Sequence, residues 1–324
     1  MVTAAAAAVI AIGFDDATAD SLAQPRDPAI ERQAAHYVRF REDVSAIEAT
    51  PFNSAETTRE AHRRLSAHTA DALAAGWVAY AALVAADTPT FAAALQEEVE
   101  PKKRRRRKRG QLEGRDALLS NLAQDPTYAS NLPGANEALG RVLAMAASDA
   151  GRFSALGEAF KTQAYAMQKT TWGKARIKAS KQRLTEAEQF ARARPFPVMP
   201  AMAPLTERGV TAPALASLDG AWRPEWGEGD ARGGGKDSSA KAVMDRVLNL
   251  AARYSIGAVN TKVVSVYAKN DRSSQCLSLA SLTLKQCIAA TRTSYEEAFC
   301  LGEHALNDVA GCLGWVAGVD GGAS

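Results

Sequence analysis

Four cysteines, Cys276, Cys287, Cys300 and Cys312, are the only thiols in the chain, and all lie in its last fifth. An even number crowded into one region is the pattern of a disulfide framework kept in an oxidising compartment. The pairing follows from an antiparallel helical hairpin, in which residues equidistant from the turn face each other. Cys287 with Cys300, and Cys276 with Cys312, are both centred near residue 294, so nested bonds 276–312 and 287–300 are expected. Joining Cys276 to Cys287 within one helix would bridge about 16 Å of rise against a Cα limit near 7 Å. One feature strains the scheme. Residues 11 apart share a helix face, whereas residues 12 apart, as Cys300 and Cys312 are, differ by about 120°. A bend is therefore required, with Gly302 or Gly311 placed to supply it. The rival chemistry is zinc, since Cys300 and His304 stand at i, i+4. The closely spaced cysteine pairs of structural zinc sites are missing, however, and no metal or other cofactor is expected. His304 reads as a surface or packing residue.

The second group is Lys102, Lys103, Arg104, Arg105, Arg106, Arg107, Lys108 and Arg109, eight consecutive cations between Pro101 and Gly110. Like charges at i, i+3 and i, i+4 repel, so the run reads as a solvated loop over 101–110. It is an anion-binding candidate with several readings. It could be a connector without a ligand, or a contact for anionic envelope polymers or lipid headgroups. It could also bind nucleic acid, or serve as a nuclear-localisation or processing site. Without these eight, 31 basic residues face 36 acidic ones, a net of −5 against +3 for the whole chain. A mildly acidic body lacks the spread basic face of a nucleic-acid-binding domain. The aromatics that stack on bases are absent from residues 97–115.

Catalytic motifs are wanting. "GGGKDSS" (Gly233–Ser239) has Asp237 and Asp230 where a phosphate loop needs Ser or Thr and Gly. No G-x-S-x-G, H-E-x-x-H, C-x-x-C or G-x-G-x-x-G occurs. The four histidines, His36, His62, His68 and His304, form no recognisable motif. The sequence thus points away from an enzyme, with no catalytic residue to nominate. Trp222 and Trp226 flank "RPE" in a Pro/Gly-rich stretch, either pinning a loop to the body or forming a platform for a sugar or peptide.

The elements that would position these groups are helical. Alanine is abundant and β-branched runs are few. Helix starts recur at Asp27-Pro28, Thr88-Pro89 and Ser238-Ser239, and a capping-box pattern at Asn53 with Glu56 opens a run to Ala86. Phe91, Leu95 and Val99 share one side of the helix after Pro89. A long helix from Asn136 is read as far as Arg176, and a charged one follows over 178–194. Ser273 or Ser274 should cap the first hairpin helix, and Ser294 with Glu297 the second. Thr261–Lys269, "TKVVSVYAK", reads as a lone strand candidate without a partner. Ala72 to Ala86 is apolar for 15 residues, short of the roughly 20 a membrane span needs. It reads as a buried central helix.

Val2 to Phe14 is an apolar stretch followed by small-residue cleavage patterns ending at Ala19 and Ala23, so residues 1–23 read as a signal peptide, although the basic leading region is missing. Residues 24–197 form a helical domain interrupted by the basic loop, 198–238 a Pro/Gly-rich linker, and 239–324 a C-terminal helical domain with the four cysteines. The expectation is an all-α helical bundle with a disulfide-stapled antiparallel helical hairpin, exported from a bacterial cell to the periplasm or beyond. It would be a non-catalytic binding or scaffolding module that meets anionic envelope polymer, lipid headgroups or another envelope protein. The alternative is a cytoplasmic nucleic-acid-binding protein using the basic run, and an enzyme of unknown class comes third.

Overall fold

The computed structural model describes residues 28–100, 114–177, 179–197 and 239–318. The expected signal peptide, the basic run, the linker and the Trp222–Trp226 stretch lie outside these residues. What is described is all-α, and the only β feature among these residues is an isolated bridge between Arg176 and Thr293.

The bundle is organised around α3 (Ala70–Ala86), in which Trp77 to Ala85 form an unbroken buried stretch. A helix apolar on every side must be covered on every side. Covering it are α1 (Ala29–Glu48), α6 (Ala135–Met167), α8 (Ala240–Ser255) and α10 (Asp271–Ala290). The closest neighbour is α1: a methyl group at Gly76 would lie 2.9 Å from the Tyr37 nitrogen, so only glycine permits this approach. The remaining helices, α2 (Ala55–Leu65), α4 (Pro89–Val99), α5 (Gly114–Gln124) and α7 (Ser180–Ala193), complete the shell.

Two features of the organisation differ from expectation. First, residues 239–318 share one core with the N-terminal helices. Val247, Leu248 and Leu250 of α8 belong to the same hydrophobic core as Trp77 and Tyr80. Asn249 Nδ2 also donates to the Leu122 carbonyl of α5 at 2.8 Å. The apolar surface of α3 and α6 exceeds what the N-terminal helices cover, and the C-terminal helices close it. Second, Thr261–Tyr267 is a helix, α9, and not a strand. The Asn260 side chain caps it by accepting the Val263 N–H at 3.0 Å, and only Val264 need be buried.

Boundaries differ by a residue or more where capping side chains compete. Ser54, not Asn53, caps α2, and it exchanges hydrogen bonds with Thr57. That helix stops at Leu65 and α3 departs at 71°. The long α6 ends at Met167, short of Arg176. There the Thr170 hydroxyl donates to the Met167 carbonyl and accepts from the Gly173 N–H. Asn270, not Ser273 or Ser274, caps α10.

The hairpin follows the expected register. Helix α11 (Ser294–Cys300) leads into a π-helical segment (Leu301–Asn307) and then α12 (Asp308–Gly314), all running back along α10. Thr293, not Ser294, is its N-cap, and the Glu296 carboxylate accepts the Thr293 N–H at 2.9 Å. Cys276–Cys312 and Cys287–Cys300 are bonded with Cα separations of 5.4 and 5.7 Å. The π segment supplies the missing bend. Each π residue turns by about 82° rather than 100°, so seven residues remove roughly 125°. That returns Cys312 to the face of Cys300. Gly302 instead permits close packing. Its Cβ would stand 2.6 Å from the Gly157 carbonyl, so the Gly157–Gly302 contact lets the hairpin approach α6 closely.

Candidate functional site

A cavity of about 430 Å³ lies between the α2–α3 turn, α7 and the hairpin. That volume suits a small molecule. Leu65, Leu73, Leu184, Leu277 and Leu284 give it apolar walls, and Ser278, Ser281, Lys285 and the Glu188–Arg192 ion pair are among its polar lining groups. Three of the four histidines, His62, His68 and His304, line it, and each is held by a carboxylate.

The His62 Nδ1 lies 3.1 Å from Glu297 Oε1, and the two side chains are 1% and 0% exposed. The Arg183 Nε is 3.5 Å from the same oxygen, so α7, α2 and α11 meet through one buried carboxylate. A charged group with no exposure needs such partners, because burying it alone costs several kcal/mol. This is the geometry that orients an imidazole as a general base. Yet the His62 Nε2 is itself buried without a partner, and among the described residues no hydroxyl or thiol is hydrogen-bonded to a histidine. The nucleophile–base contact of covalent catalysis is therefore not formed here.

His68 sits in the turn after α2, its Nε2 2.7 Å from Asp43 Oδ2. Asp43, on α1, also accepts from Arg64 at 3.1 Å and from both terminal nitrogens of Arg194 at 2.7 and 3.0 Å. Burial pushes the Asp43 carboxyl up, but the hydrogen bonds from His68 and Arg194 outweigh it and hold it below its ordinary value. Burial also dominates at His68 and lowers its imidazole despite the Asp43 carboxylate. His36, behind Pro195 and Phe196, is lowered for the same reason, with His68 and Arg39 adding to the effect. The third pair, His304 Nδ1 to Asp308 Oδ2 at 2.9 Å, spans one helical turn.

Beneath the cavity the core carries a polar chain. The Tyr37 hydroxyl donates to Asp149 Oδ2 at 2.7 Å, Arg41 lies 3.2 Å from the same oxygen, and Arg41 donates to the Tyr80 hydroxyl at 2.7 Å. Burial raises Asp149 and Tyr37, and pushes Tyr80 up to about 12. These groups bind one another, which makes them a buried tie between α1, α3 and α6.

The four cysteines are thus brought together as two bonds, and Cys300 is not available to a metal. Among the described residues no cluster of His, Cys, Asp or Glu could hold an ion. The eight basic residues, Lys102 to Arg109, lie outside the described residues. The histidine cavity was invisible in the sequence, because His62 meets a carboxylate 235 residues away. Only the i, i+4 pair of His304 and Asp308 was readable in advance. No protein-family model matches the chain, and no curated protein or solved structure is significantly similar to it.

Proposed function

We propose that the protein is a non-catalytic binding module of an oxidising compartment, periplasmic or secreted, that holds a small, largely apolar molecule with a polar or anionic end. The observation that carries this reading is the cavity of about 430 Å³, walled by leucines and edged by Ser278, Ser281 and Lys285. An apolar pocket with a few convergent polar groups is the general form of a ligand site. The lysine stands at the rim, where an anionic group would meet it while the apolar body lies between α7 and α10. The two disulfides support the compartment, since such bonds persist where thiols are not kept reduced. Among the described residues no single helix is long and apolar enough to cross a membrane. The basic run is read as the part that meets anionic envelope polymer, lipid headgroups or another envelope protein.

The test is a fluorescence titration with anilinonaphthalene sulfonate, an apolar body bearing one anionic group. The folded protein should bind one equivalent. Ser281→Trp, which fills the cavity from a half-buried position, should abolish that binding while circular dichroism stays that of the parent. Ser278→Phe is the second filling variant, should the first disturb folding. Equal binding by parent and folded variants would defeat the reading.

A further inference from the structure

A second pocket, of about 270 Å³, opens between α2, α7 and the start of α11. The Arg183–Glu297–His62 chain separates it from the cavity. Its walls carry three arginines, Arg59, Arg176 and Arg183, against one carboxylate, Glu186. Arg59 is committed to Glu186 through two bonds of 2.8 and 2.5 Å. Arg183 is shared loosely, 3.7 Å from Glu186 and 3.5 Å from Glu297. Arg176 is exposed and has no acidic partner among the described residues. Its backbone is nonetheless fixed: Ile177 N–H donates to the Arg292 carbonyl at 2.8 Å beside the Arg176–Thr293 bridge.

Two helix N-termini open on the same pocket, through Ala55 of the 11-residue α2 and Ala179 at the start of the 14-residue α7. First-turn amides lack intrahelical acceptors and carry the positive end of the helix dipole. No side chain caps α7. An independent observation points the same way. Ser294 lines the pocket, is only 1% exposed, and its hydroxyl has no hydrogen-bond partner among the described residues. An unpartnered hydroxyl on this wall is free to donate to a ligand in a pocket whose lining arginines outnumber its carboxylates.

We propose that this pocket is an oxyanion site for a phosphoryl group. Its lining brings together three kinds of donor: the exposed Arg176 guanidinium, the deeply placed Ser294 hydroxyl and the first-turn amides of α7. A tetrahedral oxyanion accepts from all of them, whereas a planar carboxylate offers only two oxygens. The group is carried either by a small soluble phosphate or by an anionic phospholipid headgroup.

The test is titration calorimetry with inorganic phosphate on the full chain, and on the full chain with residues 102–109 replaced by Gly/Ser. Saturable one-site binding should survive that replacement. Arg176→Gln, an exposed position, should weaken it about tenfold or more, the cost of one charge-assisted hydrogen bond. Ser294→Ala should weaken it less, with phosphorus NMR reporting the loss of contact. Phosphate binding without preference between phosphatidylcholine vesicles with and without phosphatidate assigns the site to a soluble phosphate. Preference for phosphatidate that Arg176→Gln removes assigns it to a headgroup. Absence of saturable binding, loss of binding on replacing 102–109, or parent-like binding by both variants would overturn the proposal.

Discussion

Breaking the outer staple, Cys276–Cys312, should cost more than breaking the inner one, and the whole chain should feel it. In the chain-entropy picture the inner bond closes 13 residues and contributes about 2.9 kcal/mol. The outer bond spans 36 residues, but with the inner bond in place the effective loop is about 24, which gives about 3.4 kcal/mol. Cys276→Ala with Cys312→Ala adds a small cavity term, because Cys312 is buried. Reduction of the parent removes the cross-links and leaves the side-chain volume, so it separates the two contributions. The loss does not stay in the hairpin. Helices α10 and α12 pack on α3 and α6 in one core. Urea unfolding followed by far-UV circular dichroism should therefore remain a single transition with a lower midpoint. A thermal midpoint should fall by roughly 7 to 14 °C, nearer the lower figure for a chain of this length. The reasoning is refuted if removing the inner bond costs more than removing the outer. It is equally refuted if reduction splits the transition in two, with the N-terminal helices unfolding at their original midpoint.

Acid should destabilise the fold in two steps. The lowered His68 and His36 values mean stability is fully present above about 6.5 and is lost as pH falls below it; the raised Asp149 works the other way, gaining stability as pH falls through its raised value towards 3.8, and the lowered Asp43 adds a second loss below about 3.8. Urea midpoints measured between about pH 7.5 and 5 should fall more in the parent than in His68→Gln; equal slopes in the two would count against the burial of that ring. Gly302→Ala should cost about 1–3 kcal/mol by pushing the hairpin off α6, read as a lower urea midpoint, and a neutral result would mean that the Gly157–Gly302 contact is not close. Replacing residues 102–109 with a Gly/Ser linker should change stability by less than about 0.5 kcal/mol while weakening binding to anionic vesicles and polysaccharide, whatever the Arg176 pocket contributes. If the run instead serves nucleic acid, duplex affinity should fall steeply with log salt, and the same replacement should remove it.

The disulfide register was legible because a hairpin turns pairing into a symmetry about one residue, and only one nesting meets it. The same spacing carried a warning, the extra residue between Cys300 and Cys312, and its physical source proved to be the π segment, not a glycine bend. Several helix starts were legible to within a residue or so, but α10 begins some three residues before its expected cap and the separate start of α3 was missed. Neighbouring Asn, Ser and Thr compete for each cap, and tertiary contacts choose among Asn53 and Ser54, or Thr293 and Ser294. The single core was not legible, because a Pro/Gly-rich stretch such as 198–238 has the composition of a domain linker whichever helices pack across it. The histidine cavity and the arginine pocket were hidden for a related reason. Each is assembled from helices far apart in sequence, and a buried pair such as His62 with Glu297 leaves no local pattern.

The central claim is that the cavity between α7 and the hairpin holds a small molecule. Native mass spectrometry of the protein isolated without denaturation from the compartment in which it accumulates tests this most directly, with N-terminal sequencing of the same sample. The parent chain should be processed near Ala19 or Ala23 and carry one small, largely apolar ligand, and a folded Ser281→Trp variant should carry none. A parent chain that stays in the cytoplasm, or one with no more bound ligand than the filled variant, would contradict it.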